Sequence, residues 1–403
     1  MKRRVLIVGG GYAGALSALR LARKTRKTGD VDVTLLTAEP FFVERIRLHQ
    51  DVAGPLRRRT PLAKIFAGTS VQVRSGHVEG FDFDARKALV RDGSHESFDE
   101  LVVATGSIAS SGPFDGKTDA YSCASEADAL ALRARLETPG LRVVIVGGGL
   151  TGVELASELG ERRSDLRVTL VTSDEVAPML SEGGRAYVRR VLAMHRVDLL
   201  ENEHVVAADD GAVILASGRE LTADAFVWAG GFAPSPLAKQ SGLAVDASGR
   251  AIVDARLRST SHPFVRVIGD AARVLIPGPD GSPQVLRMAC ATAMPMGAYC
   301  ADDVARQSLG PDFSFSFAAC CVSLGRKAGV FQRRSRHDAP IDGRLEGRLG
   351  AFVKEAICRY TIGSFAAERR GFGYGWPGEA RTLQVRQSPL PPELVESVVV
   401  RSQ

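Results

Sequence analysis

Through the first three quarters of the chain the apolar positions come in short unbroken runs instead of alternating with polar ones. VLIV (5–8), VTLL (33–36), LVV (101–103), VVIV (143–146) and VTLV (168–171) are each long enough for a strand buried on both faces, as in a parallel sheet. Ala/Leu-rich stretches with helical spacing follow two of them, predicting helices at about 12–27 and beyond residue 150, with a further helix at 125–137. Strands predicted at 71–78 and 86–91 flank the turn-like 81–85 and suggest a small antiparallel piece. The last quarter breaks the pattern. Residues 313–332 alternate like an antiparallel sheet, and 344–360 read as an amphipathic helix with Leu345, Leu349, Phe352, Ala356 and Tyr360 near one face. That apolar face suits a core or a dimer interface better than a membrane surface, because the stripe is short and glycine interrupts it.

The long runs repeat. VLIVGGGYAGALSALRL (5–21) returns as VVIVGGGLTGVELASEL (143–159), and VTLLTAE (33–39) returns as VTLVTSD (168–174). Each copy is strand, glycine turn and helix, with Gly9-x-Gly11-x-x-Gly14 in the first and Gly147-x-Gly149-x-x-Gly152 in the second. In that context the first glycine makes the turn, the second admits a pyrophosphate to the backbone, and the third lets helix and strand pack closely. The helix N-terminus, here Tyr12 and Ala13 or Leu150 and Thr151, offers unpaired N–H groups to the phosphates. Two dinucleotide sites are therefore expected. An acid usually holds the adenosine ribose at the end of the second strand, yet Thr37 and Thr172 stand there and the acids Glu39 and Asp174 come two residues later.

The chain then organises itself around these units. The strand before Ala104-Thr105-Gly106 can pass the backbone beside a cofactor, and a Gly/Ser/Pro-rich connector at 110–120 reads as a hinge. The second unit ends in VWAGGFAPSPLA (227–238), where Gly230 sits as Gly106 does. RVIGDAA (266–272) marks the return to the first unit, with Gly269-Asp270 read as a helix start whose acid accepts a sugar hydroxyl. Arg45, in the arginine-rich 41–55 segment, suits a cofactor phosphate. Val78, closing the 71–78 strand, joins the cofactor-lining candidates.

Composition constrains the class. The 403 residues allow two or three domains, 45% hydrophobic and 24% charged residues are ordinary for a globular protein, and a net charge of +6 is mild. No basic run interleaved with aromatics points to nucleic acid, and no apolar run approaches a membrane span. The basic start MKRR leads straight into the first strand, not a signal peptide. Six cysteines at 123, 290, 300, 320, 321 and 358 form no CxxC or CxxxxC pair, which argues against a redox-active disulfide or a metal site and for free thiols in a reducing cytosol. Only vicinal Cys320 and Cys321 stand out for reactivity.

Fingerprint, ATG strand, second fingerprint, WAGG strand and GD motif, in that order, resemble the two-dinucleotide-binding flavoprotein superfamily, the pyridine nucleotide-disulfide oxidoreductase-like proteins. GGGLTGVELASEL (147–159), ERIRLHQ (44–50), SLGRKAG (323–329) and GRLGAFVKE (347–355) are most similar to its type II NADH dehydrogenase group. The resemblance implies an α/β fold of two Rossmann-like, glutathione-reductase-like domains, the second inserted in the first. FAD would occupy 1–112 with 231–308, NAD(P)H would occupy 113–230, and 309–403 would be a C-terminal interface region contacting a membrane or a second copy. It further implies that Arg45 and Asp270 contact FAD, and that Glu154 lies between nicotinamide and flavin, assisting proton or charge transfer. NADH is favoured over NADPH, since Asp174 can hold a 2′-hydroxyl and no arginine follows the strand. Electrons would pass to a small-molecule acceptor, a quinone or another organic molecule, in a cytoplasmic protein or one peripheral on the inner face of the cell membrane. The alternatives are a soluble tailoring enzyme, with an apolar pocket around Met288, Met294 and Met296, and a slow flavin redox sensor. One departure bears on the acceptor: CATAMPMG (290–297) places Ala291 and Pro295 where the group carries glutamines.

Overall fold

The computed structural model describes residues 1–110, 112, 120–209, 211–306 and 310–378. The expected hinge falls mostly outside these residues, as does the tail from 379. Each apolar run becomes a parallel strand. Val265–Val267, Glu100–Val103, Arg3–Val8, Val31–Thr37 and Gln72–Ser75 lie side by side in that order, with the first strand central and its neighbours added on opposite sides. Such a reversal of strand order opens a crevice at the carboxyl ends, where α/β sheets bind ligands. The second sheet repeats the device with Asp198–Leu200, Arg167–Val171, Arg142–Val146 and Ala225–Trp228, again all parallel.

The helix Tyr12–Thr25 packs on the first sheet through Ala15, Leu16, Ala18 and Leu19, all buried, and Leu150–Arg162 packs on the second through Val153, Leu155, Ala156 and Leu159. The 72–75 segment is a correction: it extends the main parallel sheet, and the antiparallel piece is the separate meander Val78–Asp82, Lys87–Val90 and His95–Ser97. Val78 is buried in the core at the start of that meander. Between the two units Ser107–Ala109 and Phe232–Pro234 form an antiparallel ladder, so the outgoing and returning chain are laced together. The later strand Val265–Val267 then pairs with Glu100–Val103 in the first sheet.

The last quarter is a three-stranded antiparallel sheet, Ala319–Leu324, Ala328–Arg334 and Pro340–Glu346, followed by the long helix Gly347–Arg370. The expected helix thus starts at 347, and its apolar stripe does not face the core. Leu349 is 66% exposed, Phe352 71% and Tyr360 55%, whereas Gly350, Cys358, Thr361, Ser364 and Phe365 are buried. The inward face is chosen by small residues that permit close approach: Gly350 lies against the Gly329 backbone, where an added methyl would collide with its carbonyl. Charge fixes the far end. Glu368, fully buried, pairs with Arg23 at 2.7 Å, and Arg20 joins Asp302 at 2.8 Å and the Tyr374 carbonyl at 2.7 Å. A Gly350→Ala substitution is expected to cost about 1–3 kcal/mol by overpacking, read as an unfolding transition displaced to lower guanidinium concentration, while Gly363→Ala, which lies inside the same helix and meets no neighbour, should move it upward by about 0.5–1 kcal/mol.

Candidate active site

The two glycine turns are superposable in their constraints. Gly9 and Gly147 both take positive φ (112° and 124°), and a side chain on either would strike the carbonyl of Ala104 or Ala229, the residue just after the neighbouring strand. A methyl on Gly14 or Gly152 would hit the carbonyl of Gly9 or Gly147, so helix and turn touch only because both are glycine. Gly11 and Gly149 differ: a Cβ there meets no protein atom within 4 Å, which is the clearance a pyrophosphate needs against the helix N-terminus. Thr37 and Thr172 are buried against Gly10 and Gly148, filling the position where an acid is usual. Glu39 and Asp174 are exposed at the strand ends, with Asp174 accepting from Ser173 Oγ at 2.9 Å.

In the first site three distant segments meet. Arg45 Nη1 donates to Ser107 Oγ at 3.2 Å, and Ser107 Oγ donates to Asp270 Oδ2 at 2.6 Å. Burial pulls the Arg45 guanidinium below its ordinary value against the pull of Asp270. Arg45 also stacks over Phe232, 5.3 Å from the ring centre, and lies beside Gly106. Thr105 Oγ1 is buried without a hydrogen-bond partner among the described residues, an orphan polar atom next to the cradle. Together the open Gly11 backbone, the orphan hydroxyl and the Arg45–Ser107–Asp270 chain fit a cofactor carrying pyrophosphate and sugar hydroxyls.

Several expectations change. Gly269–Ala271 is a single 3-10 turn followed by strand Ala272–Arg273, so Asp270 caps no α-helix and is held by Ser107 instead. Tyr12 turns its ring inward, edge-on to Phe42 at 5.0 Å, the Ala13 methyl faces Gly269, and the Ala13 backbone packs against Gly297. Met294 and Met296 are core residues, 2% exposed, and border neither of the two recesses bounded by Trp228 and by Arg57. The Cys320 and Cys321 thiols are pushed up by burial, Cys321 to about 12, the reverse of an activated pair. In the second site Gly230 is required by the Trp228 indole folded over it, and Trp228 Nε1 donates to Ser110 Oγ at 3.1 Å. Thr151, Ser122, Cys123, Trp228 and Phe232 border a recess between this turn and the crossover ladder, whereas Leu150 opens the helix beside the core.

Glu154 is not a helix-start acid facing solvent. It is 6% exposed, and its Oε1 accepts from Lys354 Nζ at 2.7 Å and from the Ser323 backbone N at 3.0 Å. The buried His49 ring stands on its other side, with Nδ1 3.7 Å from Oε2 and Nε2 3.1 Å from Ser323 Oγ. Burial alone would raise the carboxyl, but Lys354 and His49 outweigh it and hold it below its ordinary range. Burial alone would lower the Lys354 ammonium, and Glu154 outweighs that too, leaving it raised. For His49 burial wins, taking it from 6.5 to about 4, so the ring is neutral at pH 7. Glu154 was legible within its fingerprint. His49, Ser323, Lys354 and Ser107 carry no spacing signal, although His49 lies within ERIRLHQ, Ser323 within SLGRKAG and Lys354 within GRLGAFVKE.

Two parallel sheets, each carrying a matched glycine turn and linked by a laced crossover, define a two-dinucleotide fold. Residues 3–297 match the family described as pyridine nucleotide-disulphide oxidoreductase, and the chain belongs to it. It is 29% identical over 319 residues to an NADH dehydrogenase-like protein of Mycobacterium tuberculosis, covering 73% of this chain and 78% of that protein. It is 26% identical over 400 residues to the type II NADH:quinone oxidoreductase of Staphylococcus aureus, covering 88% and 94%. Among solved structures, NDH2 from Plasmodium falciparum in complex with NADH superposes with a TM-score of 0.75 at 14% identity, over 93% and 99% of the chains. The sulfide:quinone oxidoreductase of Aquifex aeolicus gives 0.73 at 19%, over 92% of each. The protein is an oxidoreductase that uses FAD and NADH.

Two outcomes follow from this geometry. Asp270→Ala is expected to weaken FAD retention at least tenfold, the worth of a charge-assisted hydrogen bond, and Ser107→Ala to weaken it less, both read from the flavin-to-protein absorbance ratio after gel filtration. Because the folded His49 titrates near 4 and the unfolded near 6.5, the unfolded chain binds more protons between those values. Stability therefore rises with pH through that window, by at most about 3 kcal/mol from this residue. Denaturant midpoints measured from pH 4 to 7 should show a flatter slope in His49→Leu than in the parent protein.

Proposed function

We propose that the protein passes electrons from NADH, through FAD, to a quinone met at a membrane surface. The observation that carries this reading is the C-terminal helix itself, which presents Leu349, Phe352 and Tyr360 outward and Lys354 inward to Glu154 on the second fingerprint helix. One element thus joins an exposed apolar stripe to the buried charge pair. Leu345, exposed on the preceding strand, and Phe372, just past the helix, extend the apolar surface, while Arg344, Arg348 and Arg359 flank it with positive charge. That composition suits an anionic lipid surface. Among the described residues no helix is long and apolar enough to cross a membrane. The relatives named for NADH dehydrogenase and NADH:quinone chemistry support the acceptor class.

The bound cofactors supply hydride transfer from NADH to FAD and onward transfer of two electrons. The chain's own part is positional and electrostatic. On this reading residues 1–112 with 231–308 hold FAD through Gly11, Arg45, Thr105 and Asp270, and 113–230 receive NADH over Gly147–Gly152, with Asp174 at its ribose. The remainder, 309–403, docks on the membrane. Reduction of a quinone consumes one solvent proton per NADH, and Lys354, kept charged by Glu154, is the group placed to deliver it.

Steady-state NADH oxidation with a short-chain quinone, together with liposome flotation, tests the reading. Glu154→Gln should lower quinone turnover about 10- to 100-fold. A Leu349→Ser, Phe352→Ser double variant should stay with the soluble fraction while keeping its rate with a water-soluble quinone. Parent protein that ignores anionic liposomes and runs as a dimer would assign the stripe to a second copy instead.

A further inference from the structure

The hydrogen bonds around Glu154 can be counted, and the count assigns a place to two residues outside the pair. Oε1 already accepts Lys354 Nζ–H at 2.7 Å and Ser323 N–H at 3.0 Å, which occupies both of its lone pairs. Ser323 Oγ lies 3.3 Å from the same oxygen but 3.1 Å from His49 Nε2, so its single proton is better spent on the imidazole. A neutral imidazole that accepts at Nε2 must carry its proton on Nδ1, and Nδ1 faces Glu154 Oε2 at 3.7 Å. The opposite tautomer would turn a lone pair toward a carboxylate. Ser323 therefore sets the tautomer of His49, and His49 presents a positive N–H edge to the other carboxylate oxygen, Oε2. All of this is out of water: His49 is 3% exposed, Ser323 2% and Glu154 6%.

We propose that His49 and Ser323 are positioning residues for the acceptor half-reaction, holding Glu154 ionised so that Lys354 keeps the proton destined for the quinone oxygen. The inference rests on the quinone reading above and adds the residues that act through the pair. In the step concerned two electrons arrive from NADH by way of FAD. The hydride equivalent supplied by NADH also brings one proton, which forms one O–H bond on the quinone; a Lys354 N–H bond breaks as the second O–H bond forms, and Lys354 recovers a proton from solvent. Glu154 ends the cycle as it began. The groups facing His49 are Glu154 from the second fingerprint helix, Lys354 from the C-terminal helix, Arg326 from the turn after Ser323 and Arg57 from the loop beyond its own helix. Burial keeps His49 neutral against the pull of Glu154, and the three cations add to it, which preserves the arrangement at physiological pH.

Stopped-flow reoxidation of the NADH-reduced holoenzyme, measured against pH with two acceptors, tests the proposal. Ferricyanide takes electrons without protons, whereas a short-chain quinone takes both. His49→Leu should slow quinone reoxidation about tenfold or more at pH 6 and move its acidic limb up by about one pH unit, while the ferricyanide rate and reduction by NADH stay as in the parent. His49→Asn, whose amide nitrogen can stand where Nδ1 stood, should recover most of the quinone rate. Ser323→Ala, a smaller change that keeps the backbone N–H, should shift the profile in the same direction by less. The proposal is overturned if His49→Leu and Ser323→Ala keep the parent pH profile, or if both acceptors slow in parallel, which is the signature of a packing role. A parent enzyme reoxidised by ferricyanide but by no quinone overturns the quinone reading and this inference with it.

Discussion

A charge pair taken out of water constrains how the C-terminal region of this protein meets the rest. Lys354 and Glu154 meet at 2.7 Å with side chains 12% and 8% exposed, where leaving either alone would cost several kcal/mol. Such a pair is tolerable only when its remaining valences are met, and here the Ser323 backbone N–H and the His49 edge meet them. The satisfied set draws on the second fingerprint helix, the C-terminal helix, the strand Ala319–Leu324 and the short helix Leu48–Ala53. It therefore ties the second glycine unit, the C-terminal sheet and the segment bearing Arg45 into one arrangement, and the close Gly329–Gly350 approach is what brings Lys354 within reach.

The duplicated glycine turns have nearly identical geometry. Backbone collisions at Gly9, Gly14, Gly147 and Gly152 are matched pair by pair. What separates the sites is their surroundings. The first is backed by the Arg45–Ser107–Asp270 chain, drawn from three segments and half-buried, as suits a cofactor that stays. The second opens on a recess edged by Thr151, Trp228 and Phe232, with its acid Asp174 at the surface, as suits a nucleotide that comes and goes.

Much of this was legible in the chain because glycine fingerprints and unbroken Val/Leu runs are local signals. A turn with positive φ and a strand buried on both faces leave little choice of residue, so the sheets and both turns could be read directly. Features decided by tertiary partners could not. Whether the stripe of Leu349, Phe352 and Tyr360 faces inward depends on where Gly350 docks, and helical periodicity reports the stripe without its direction. Asp270 reads as a cap in one dimension and is a Ser107 acceptor in three. Ser107 and Ser323 are common residue types that gain meaning only from neighbours 163 and 169 positions away. His49 lay inside a recognised segment, yet nothing in that segment shows that its ring faces an acid more than a hundred residues later.

The central claim is a division of labour, a resident FAD in the first glycine site and a transient NADH in the second. Anaerobic titration with NADH, following the visible flavin band of parent, Gly11→Val and Gly149→Val proteins, addresses it most directly. The account predicts that one equivalent of NADH bleaches the parent, that Gly11→Val purifies without flavin, and that Gly149→Val retains flavin which NADH no longer bleaches. Loss of flavin from Gly149→Val with full retention in Gly11→Val would contradict it.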